Sequence, residues 1–143
     1  MTTHSGSAKY EGFGKDGLGH VSTQSGALTD QPYGFKSRFE DGPGTNPEEL
    51  IAAAHASCFT MALSFALARA GFTAGTLETK AKVTLDKDGD GFSITRSDLD
   101  LTATIDGIDP AQFETIAADA KANCPVSKVL KAEITLTHRL NGA

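Results

Sequence analysis

The chain has 143 residues, which is enough for a hydrophobic core, and we expect residues 1–143 to form a single domain. Its formal net charge of −5 at pH 7 argues against nucleic acid or an acidic membrane surface as a partner. The N-terminal segment contains no apolar run, so no signal peptide is predicted, and we expect a reducing, cytoplasmic setting. In such a setting the two cysteines are more often catalytic or redox-active than structural.

The first part of the chain, residues 7–41, is predicted to be β-structure interrupted by glycines. Two strand-like segments, 7–13 and 18–28, flank glycines whose spacing matches the dinucleotide-binding pattern GxGxxG. Because no helix signal follows them, we expect a hairpin turn there. The segment 34–40, GFKSRFE, continues the strand-like pattern and carries Arg38.

A long apolar helix is predicted between Gly44 and Ala70. Asn46 is a favourable N-cap, Pro47 suits the first helical position, and two glutamates follow in the first turn. Beyond Leu50 only two side chains can carry charge, so we expect this helix to be buried on all sides. Its length permits a membrane span, but its mild hydrophobicity argues against one.

Two strands are predicted next, over 77–85 and 92–105, because apolar and polar residues alternate there. The acidic segment 86–91 between them resembles the front of a calcium loop. It lacks the glutamate that such a loop needs at its twelfth position, so a hairpin turn is favoured. Within the second strand the apolar residues change from even-numbered to odd-numbered positions, which predicts a β-bulge near Arg96–Asp98.

The last part of the chain has two helix-start signals and a final strand. Asp109-Pro110, with glutamine at the third helical position, predicts an amphipathic helix that ends near Asn123. Cys124-Pro125 predicts a short second helix, and residues 132–140 alternate as a strand. The order of these elements is typical of the α+β class.

The two cysteines differ in their local settings. Cys58 lies in the middle of the apolar helix, where a free cysteine is commonly a small core residue. Cys124 precedes a helix start, where backbone N–H groups favour a thiolate, so local reasoning makes it the more acidic thiol. For Cys58 to ionise, a cation must come from elsewhere. Arg38 is a candidate, unless it pairs with the acidic residues that follow it.

Other ionisable residues offer fewer possibilities. His55 lies one turn before Cys58, a spacing that would suit a Cys–His dyad. Glu48 on its own is a first-turn carboxylate that complements the helix dipole. No group of residues has the spacing of zinc ligands.

Two segments carry a family resemblance: GTNPEELIAAAHASCF, which contains Cys58, and CPVSKVLKAEITL, which begins at Cys124. Together with STQSGAL, QPYGFKSRFE and AGF, they closely resemble the OsmC (osmotically inducible protein C) group of the OsmC/Ohr hydroperoxide reductases. The resemblance covers nearly the whole chain. The sister Ohr group usually has CPYSNAT after its second cysteine and lacks the PYGF–R–FE segment.

The resemblance implies antiparallel β-sheets wrapped around a central buried helix, in an intertwined homodimer. It also implies a cysteine-based peroxidase of stress defence that reduces organic hydroperoxides, and hydrogen peroxide less well. A dithiol would regenerate it, and no metal, flavin or haem would be needed. By motif, Cys58 is the peroxidatic and Cys124 the resolving cysteine, and Arg38 and Glu48 are the charged pair that activates the thiolate. This reverses the local expectation about which thiol attacks.

Helix geometry adds the expectation that two chains share each active site. Glu48 and Cys58 are ten residues apart, which is about 15 Å along a straight helix and roughly 80° in rotation. No glycine or proline breaks the helix between them, so we expect Glu48 and Arg38 to come from the partner chain. Two other functions stay open: a thiol hydrolase that uses Cys58 and His55, and a non-enzymatic redox sensor.

Overall fold

A computed structural model describes all 143 residues. The chain divides into two compact units, residues 1–50 and residues 51–143. Each unit has its own three-stranded sheet. The long helix that begins in the first unit runs on into the second.

The first unit contains the strands β1 (Gly6–Glu11), β2 (Leu18–Thr23) and β3 (Gln31–Tyr33), which pair antiparallel in that order. The glycine cluster forms the connection between β1 and β2 and contains a single 3₁₀ turn, so the predicted hairpin is confirmed. Gly14 has a φ of 78°, in the left-handed region that favours glycine. The GxGxxG spacing here therefore serves a turn.

The segment predicted as a strand over 34–40 is a short helix, α1 (Phe35–Phe39), so that prediction is wrong. The Ser37 hydroxyl accepts a hydrogen bond from the Gly34 N–H at 2.9 Å and donates to the Gly34 carbonyl at 3.1 Å. Phe35 and Phe39 are one helical turn apart, and their ring centroids lie 5.1 Å from each other. These local contacts outweigh the strand propensity of the aromatic residues.

The central helix, α2 (Pro47–Arg69), is continuous over 23 residues, as predicted. It begins with the expected cap, because the Glu49 N–H donates to Asn46 Oδ1 at 2.8 Å. The chain enters it through Gly44, whose φ is 105°. A Cβ there would lie 2.3 Å from the Pro32 carbonyl oxygen, so only glycine fits.

The prediction that α2 is buried on all sides is wrong for the single chain. One stripe at helical spacing is fully covered: His55, Phe59, Leu63 and Leu67. On another face Met61 is 62% exposed and Phe65 is 61% exposed. The helix is long and apolar enough to cross a membrane, a property that the core helices of soluble proteins share.

The second unit contains the strands β4 (Thr76–Asp88), β5 (Gly91–Thr104) and β6 (Glu133–Leu140). β4 and β5 form the predicted antiparallel hairpin. Its turn lies at 89–90, and residues 86–88 of the acidic segment belong to β4. The pairing shifts register opposite Thr84 and Leu85, where Thr95 is the extra residue on β5. The bulge therefore lies one residue before the predicted range.

The expectation of purely antiparallel sheets fails at β6, which pairs parallel with β5. Two helices, α3 (Pro110–Asn123) and α4 (Pro125–Val129), connect these strands. A helical crossover of this length carries the chain back to the end of the sheet at which β5 began, which a hairpin cannot do. The sheet of the second unit is therefore mixed.

One hydrophobic core occupies the second unit. Asp109 caps α3 by accepting a hydrogen bond from the Gln112 N–H, as predicted from the capping sequence. The predicted apolar stripe of α3 joins the buried stripe of α2 and the inward face of β5. The central members are Phe59, Leu63, Leu99, Leu101, Phe113, Ala117 and Cys124.

Candidate active site

The structure brings the two cysteines together. Cys124 is fully buried at the junction of α3 and α4, and Cys58 is half-buried on α2. The two thiols lie close enough for each to shift the pKa of the other, and both are free. A disulfide between them would therefore lie within one chain.

The surroundings of the pair favour ionisation of Cys124 over Cys58. Burial opposes ionisation of Cys124, but hydrogen bonds from the Cys58 thiol and from Ser127 outweigh it and lower the pKa of Cys124. Burial and the hydrogen bond to Cys124 raise the pKa of Cys58. These directions agree with the local prediction that Cys124 is the more acidic thiol. An acidic Cys58 therefore requires a compensating positive charge.

The helix start after Cys124 contributes to its lowered pKa, after the larger effect of the Cys58 side chain. Pro125 begins α4, and the N–H groups of Val126 and Ser127 face the Cys124 sulfur. Neither N–H group makes a capping hydrogen bond of ordinary geometry to the sulfur. Even so, partial positive charges directed at a sulfur stabilise the thiolate.

Arg38 and Glu48 form a bidentate ion pair within the first unit. Arg38 Nε lies 3.0 Å from Glu48 Oε1, and Arg38 Nη2 lies 3.1 Å from Glu48 Oε2. The Glu48 side chain is 10% exposed and that of Arg38 is 38% exposed. Since Arg38 pairs with Glu48, the alternative of a surface pair with the acidic residues after it is wrong. The carboxylate fixes one edge of the guanidinium and leaves Nη1 without a hydrogen-bond partner.

Asn46 links the helix that carries Arg38 to the helix that carries Glu48. Its Oδ1 caps α2, and its Nδ2 donates to the Ser37 carbonyl of α1 at 2.9 Å. One side chain therefore holds the start of α2 against α1. This connection keeps Arg38 beside Glu48 before any substrate is present.

His55 does not form the dyad with Cys58 that its spacing suggested. The imidazole is fully buried, with Nδ1 2.6 Å from the Ser97 hydroxyl and Nε2 2.8 Å from the Ser127 hydroxyl. Both ring nitrogens are therefore occupied by serines, and neither is available to the Cys58 thiol. This correction removes the geometric basis for a thiol hydrolase that uses Cys58 and His55.

Burial lowers the pKa of His55 below its ordinary value of 6.5. Below about pH 6.5 the unfolded chain therefore protonates this histidine while the folded chain resists, and stability falls with pH. We expect a slope of at most about 1.4 kcal/mol per pH unit, the value for one proton. Denaturant unfolding of wild type and His55→Gln between about pH 7 and pH 5 measures this, and the variant should show a flatter profile.

An acidic group provides the contrast for that experiment. Asp98 accepts hydrogen bonds from Arg96 and Thr135, which lower its pKa. The stabilisation that Asp98 provides is therefore lost only when the pH falls below 3.8, the ordinary pKa of this carboxyl. That pH lies outside the range assigned to His55. Parallel pH profiles for wild type and His55→Gln above that value would contradict the assignment.

The two free thiols in contact within an α+β fold define a thiol-dependent redox protein. Comparison with known proteins agrees: residues 40–139 match the family model described as OsmC-like protein. The chain belongs to the OsmC family. It is 56% identical to the peroxiredoxin OsmC of Escherichia coli K12, over 98% of this chain and 99% of that protein.

Other relatives belong to the organic hydroperoxide resistance group. A protein of that name from Xanthomonas axonopodis pv. citri is 31% identical over 67% of this chain and 66% of its own length. Among solved structures, the organic hydroperoxide resistance protein OhrB of Bacillus subtilis has a TM-score of 0.72 and 26% identity. That alignment covers 96% of this chain and 98% of OhrB. These neighbours confirm the OsmC-like α+β fold predicted from the resemblance.

Proposed function

We propose that this protein is a thiol peroxidase that reduces organic hydroperoxides in stress defence, with Cys58 and Cys124 as its redox-active pair. The observation that carries the proposal is the contact between the two free thiols. The relative that is 56% identical over nearly the full length of both proteins is named a peroxiredoxin. The relatives at about one third identity are named for resistance to organic hydroperoxides.

The reaction balances with two thiols and one peroxide. The Cys58 thiolate attacks the O–O bond, the alcohol leaves with a proton, and Cys58 becomes a sulfenic acid. Cys124 then attacks the Cys58 sulfur, a disulfide forms and the sulfenic oxygen leaves as water. A dithiol reduces the disulfide and returns both thiols. The two thiols of one chain therefore supply both electrons that one turnover needs.

Arg38 supplies the positive charge that Cys58 requires. Burial and the neighbouring Cys124 raise the pKa of Cys58, so a guanidinium near the sulfur would stabilise the thiolate. The bidentate pair with Glu48 presents Arg38 in a fixed orientation, with Nη1 available as a donor to the peroxide oxygens. These roles follow the motif assignment of Arg38 and Glu48.

Replacing Arg38 should therefore change the acidity of Cys58. We expect Arg38→Ala to raise the thiolate pKa of Cys58 by about 1–3 units and to slow peroxide attack about tenfold or more at neutral pH. The thiolate absorbance of the Cys124→Ser background, followed against pH, measures this shift. Arg38→Lys is the matched control. It keeps the charge but loses the bidentate pairing, so its Cys58 pKa should lie between those of wild type and Arg38→Ala. An unchanged pKa in Arg38→Ala would contradict the role of the charge.

Two such chains form a homodimer with shared active sites. The apolar face of α2 that carries Met61 and Phe65 is exposed in the single chain, and burying this face against a second copy of the chain would stabilise a dimer. The unbroken helix supports the sharing, because Glu48 and Cys58 are about 15 Å apart along its axis. We therefore expect the Arg38 held by Glu48 to act on the Cys58 of a partner chain and not on that of its own chain.

The α2 face can be tested directly. We expect Met61→Glu and Phe65→Glu to shift the protein from dimer toward monomer in analytical ultracentrifugation, since each places a charge where apolar contact is expected. Arg69→Glu is a matched control, because it changes an exposed charge at the end of the same helix. If both apolar variants remain dimeric at micromolar concentration, the dimer uses another surface.

Substrate and setting complete the proposal. The two units act together as one OsmC-like domain in the cytoplasm, a proposal supported by relatives that match across both units. The decisive assay follows loss of several organic hydroperoxides with a dithiol, beside hydrolysis of a thioester. Turnover of hydroperoxide without thioester hydrolysis supports the peroxidase. Disulfide formation without turnover would instead indicate a redox sensor.

A further inference from the structure

The side chain of Asn46 caps two helices at once. Its Oδ1 accepts the Glu49 N–H in the first turn of α2 at 2.8 Å. Its Nδ2 donates to the Ser37 carbonyl in the last turn of α1 at 2.9 Å. The last carbonyls of a helix have no partner within that helix, so this second bond satisfies the end of α1. One amide group therefore joins the end of α1 to the start of α2.

Capping of α2 alone does not require asparagine at this position. Aspartate and serine are comparable N-caps, because each offers a side-chain oxygen to the first turn. The start of α3 shows this: Asp109 precedes Pro110 just as Asn46 precedes Pro47, and the Asp109 carboxylate accepts the Gln112 N–H. Only the amide of asparagine carries an acceptor and an N–H donor on separate atoms. The bond to α1 therefore accounts for asparagine here.

The bond to α1 matters because α1 is too short to hold its own position. It has five residues, and isolated helices shorter than about 12 residues are marginal in water. The Arg38–Glu48 ion pair also joins α1 to α2, but the Arg38 side chain is 38% exposed, and ion pairs open to solvent contribute little. The Asn46 amide bonds to the residue before Arg38. It therefore restricts the backbone from which the guanidinium extends.

The second carboxylate of the first turn is bound elsewhere. The Thr45 hydroxyl donates to Glu49 Oε2 at 2.7 Å, while the Glu49 N–H is the group that Asn46 caps. Both oxygens of Glu48 accept from Arg38, at 3.0 and 3.1 Å. The start of α2 therefore presents one carboxylate to the guanidinium in one orientation, and α1 has to be held at the matching position.

We propose that Asn46 is a positioning residue for peroxide reduction: by capping both helices, it holds Arg38 against Glu48 in the orientation in which the guanidinium serves the Cys58 thiolate. The inference rests on the proposed role of Arg38 in activating Cys58. Asn46 acts through Arg38 and not on the peroxide or the sulfur. All three residues of this arrangement, Asn46, Arg38 and Glu48, belong to the first unit of one chain, so it serves the Cys58 of either chain.

Two substitutions separate the bond to α1 from the cap of α2. Asn46→Ser keeps a capping oxygen without adding charge, and Asn46→Asp keeps the cap and the shape of the side chain. Neither has the amide N–H that reaches the Ser37 carbonyl. In the Cys124→Ser background we expect each to raise the thiolate pKa of Cys58 by about half a unit to one unit. Alcohol formation in a single turnover should slow about tenfold at neutral pH, because a displaced positioning group costs rate.

The same change at the start of α3 is the matched control. Asp109→Ser also replaces an N-cap before a proline, but the Asp109 side chain bonds only within its own helix. Its Cys58 pKa and single-turnover rate should stay within about twofold of the parent protein. A second control places Asn46→Ser in an Arg38→Ala chain. If Asn46 acts through Arg38, the thiolate pKa should not change further there.

The outcomes separate a positioning role from a purely structural one. Equal pKa shifts from Asn46→Ser with and without Arg38 would overturn the inference, because the substitution would then act through the fold in general. An unchanged pKa and rate in both Asn46 variants, in a protein that reduces hydroperoxide, would overturn it as well. If Asn46→Ser does not fold, Asn46→Asp decides alone, since it keeps the cap. A wild-type protein that forms no alcohol would instead overturn the proposed function.

Discussion

Cys58→Ser should abolish hydroperoxide reduction, whereas Cys124→Ser should still consume about one equivalent of peroxide and then stop. The attacking thiol is needed for the first chemical step, and the resolving thiol only for regeneration. The expected loss in Cys58→Ser is complete within detection, because a serine hydroxyl at neutral pH is a far weaker nucleophile than a thiolate. A rapid-quench measurement of alcohol formed per chain distinguishes the two variants.

Mass spectrometry of the stalled Cys124→Ser protein supplies the control. We expect an added oxygen on Cys58, followed by over-oxidation when peroxide is in excess. The lower pKa of Cys124 within the second unit makes the opposite assignment a real competitor. Single-turnover reduction at the wild-type rate in Cys58→Ser would show that Cys124 attacks first.

Mixed dimers of inactive Cys58→Ser and inactive Arg38→Ala chains should regain activity. If Arg38 of one chain serves Cys58 of the other, a mixed dimer contains one site with both defects and one site with neither. The intact site should give about half of wild-type activity per dimer, from two parents that are each nearly inactive. Two affinity tags isolate the mixed species before the assay.

The matched control combines both substitutions in one chain and pairs it with a wild-type chain. With shared sites, that dimer carries one defect in each site and should be nearly inactive. With unshared sites it keeps one intact site, while the Cys58→Ser and Arg38→Ala mixture has none. The two dimers therefore reverse their order of activity between the models, and an inactive first mixture beside an active second one would refute sharing.

The elements with strong periodicity were predictable from the sequence. The apolar run and cap of α2, the alternation of β4 and β5, and the capping residue of α3 all agree with the structure. α1 was missed because five residues give too little periodicity, and its aromatic residues favour strands equally well. The parallel pairing of β6 was missed because alternation predicts a strand but not the direction of its partner.

The cover of α2 was over-predicted for a physical reason. An apolar surface in the sequence shows that a face needs cover, but it does not show whether the same chain provides it. The single chain covers the stripe around Phe59 and leaves Met61 and Phe65 exposed. In the proposed homodimer the partner chain would cover these two side chains.

The site was predictable only in part. The motifs identified the two cysteines and the Arg38–Glu48 pair, and the structure shows each pair in contact. Ser127 and Ser97 were missed, because a lone serine carries little signal. Two features would have helped: Ser127 occupies the third helical position after Cys124, and Ser97 shares the buried phase of β5. The spacing of His55 suggested the wrong partner, since sequence distance does not fix where an imidazole points.

A single round of oxidation tests whether Cys58 and Cys124 are the redox pair. Reduced protein is treated with one equivalent of an organic hydroperoxide, and the alcohol and the cysteine linkages are quantified by mass spectrometry. We expect one alcohol per chain and one Cys58–Cys124 disulfide within each chain, since the two thiols of one chain lie close together. Both thiols remaining free, or a disulfide joining two chains, would contradict it.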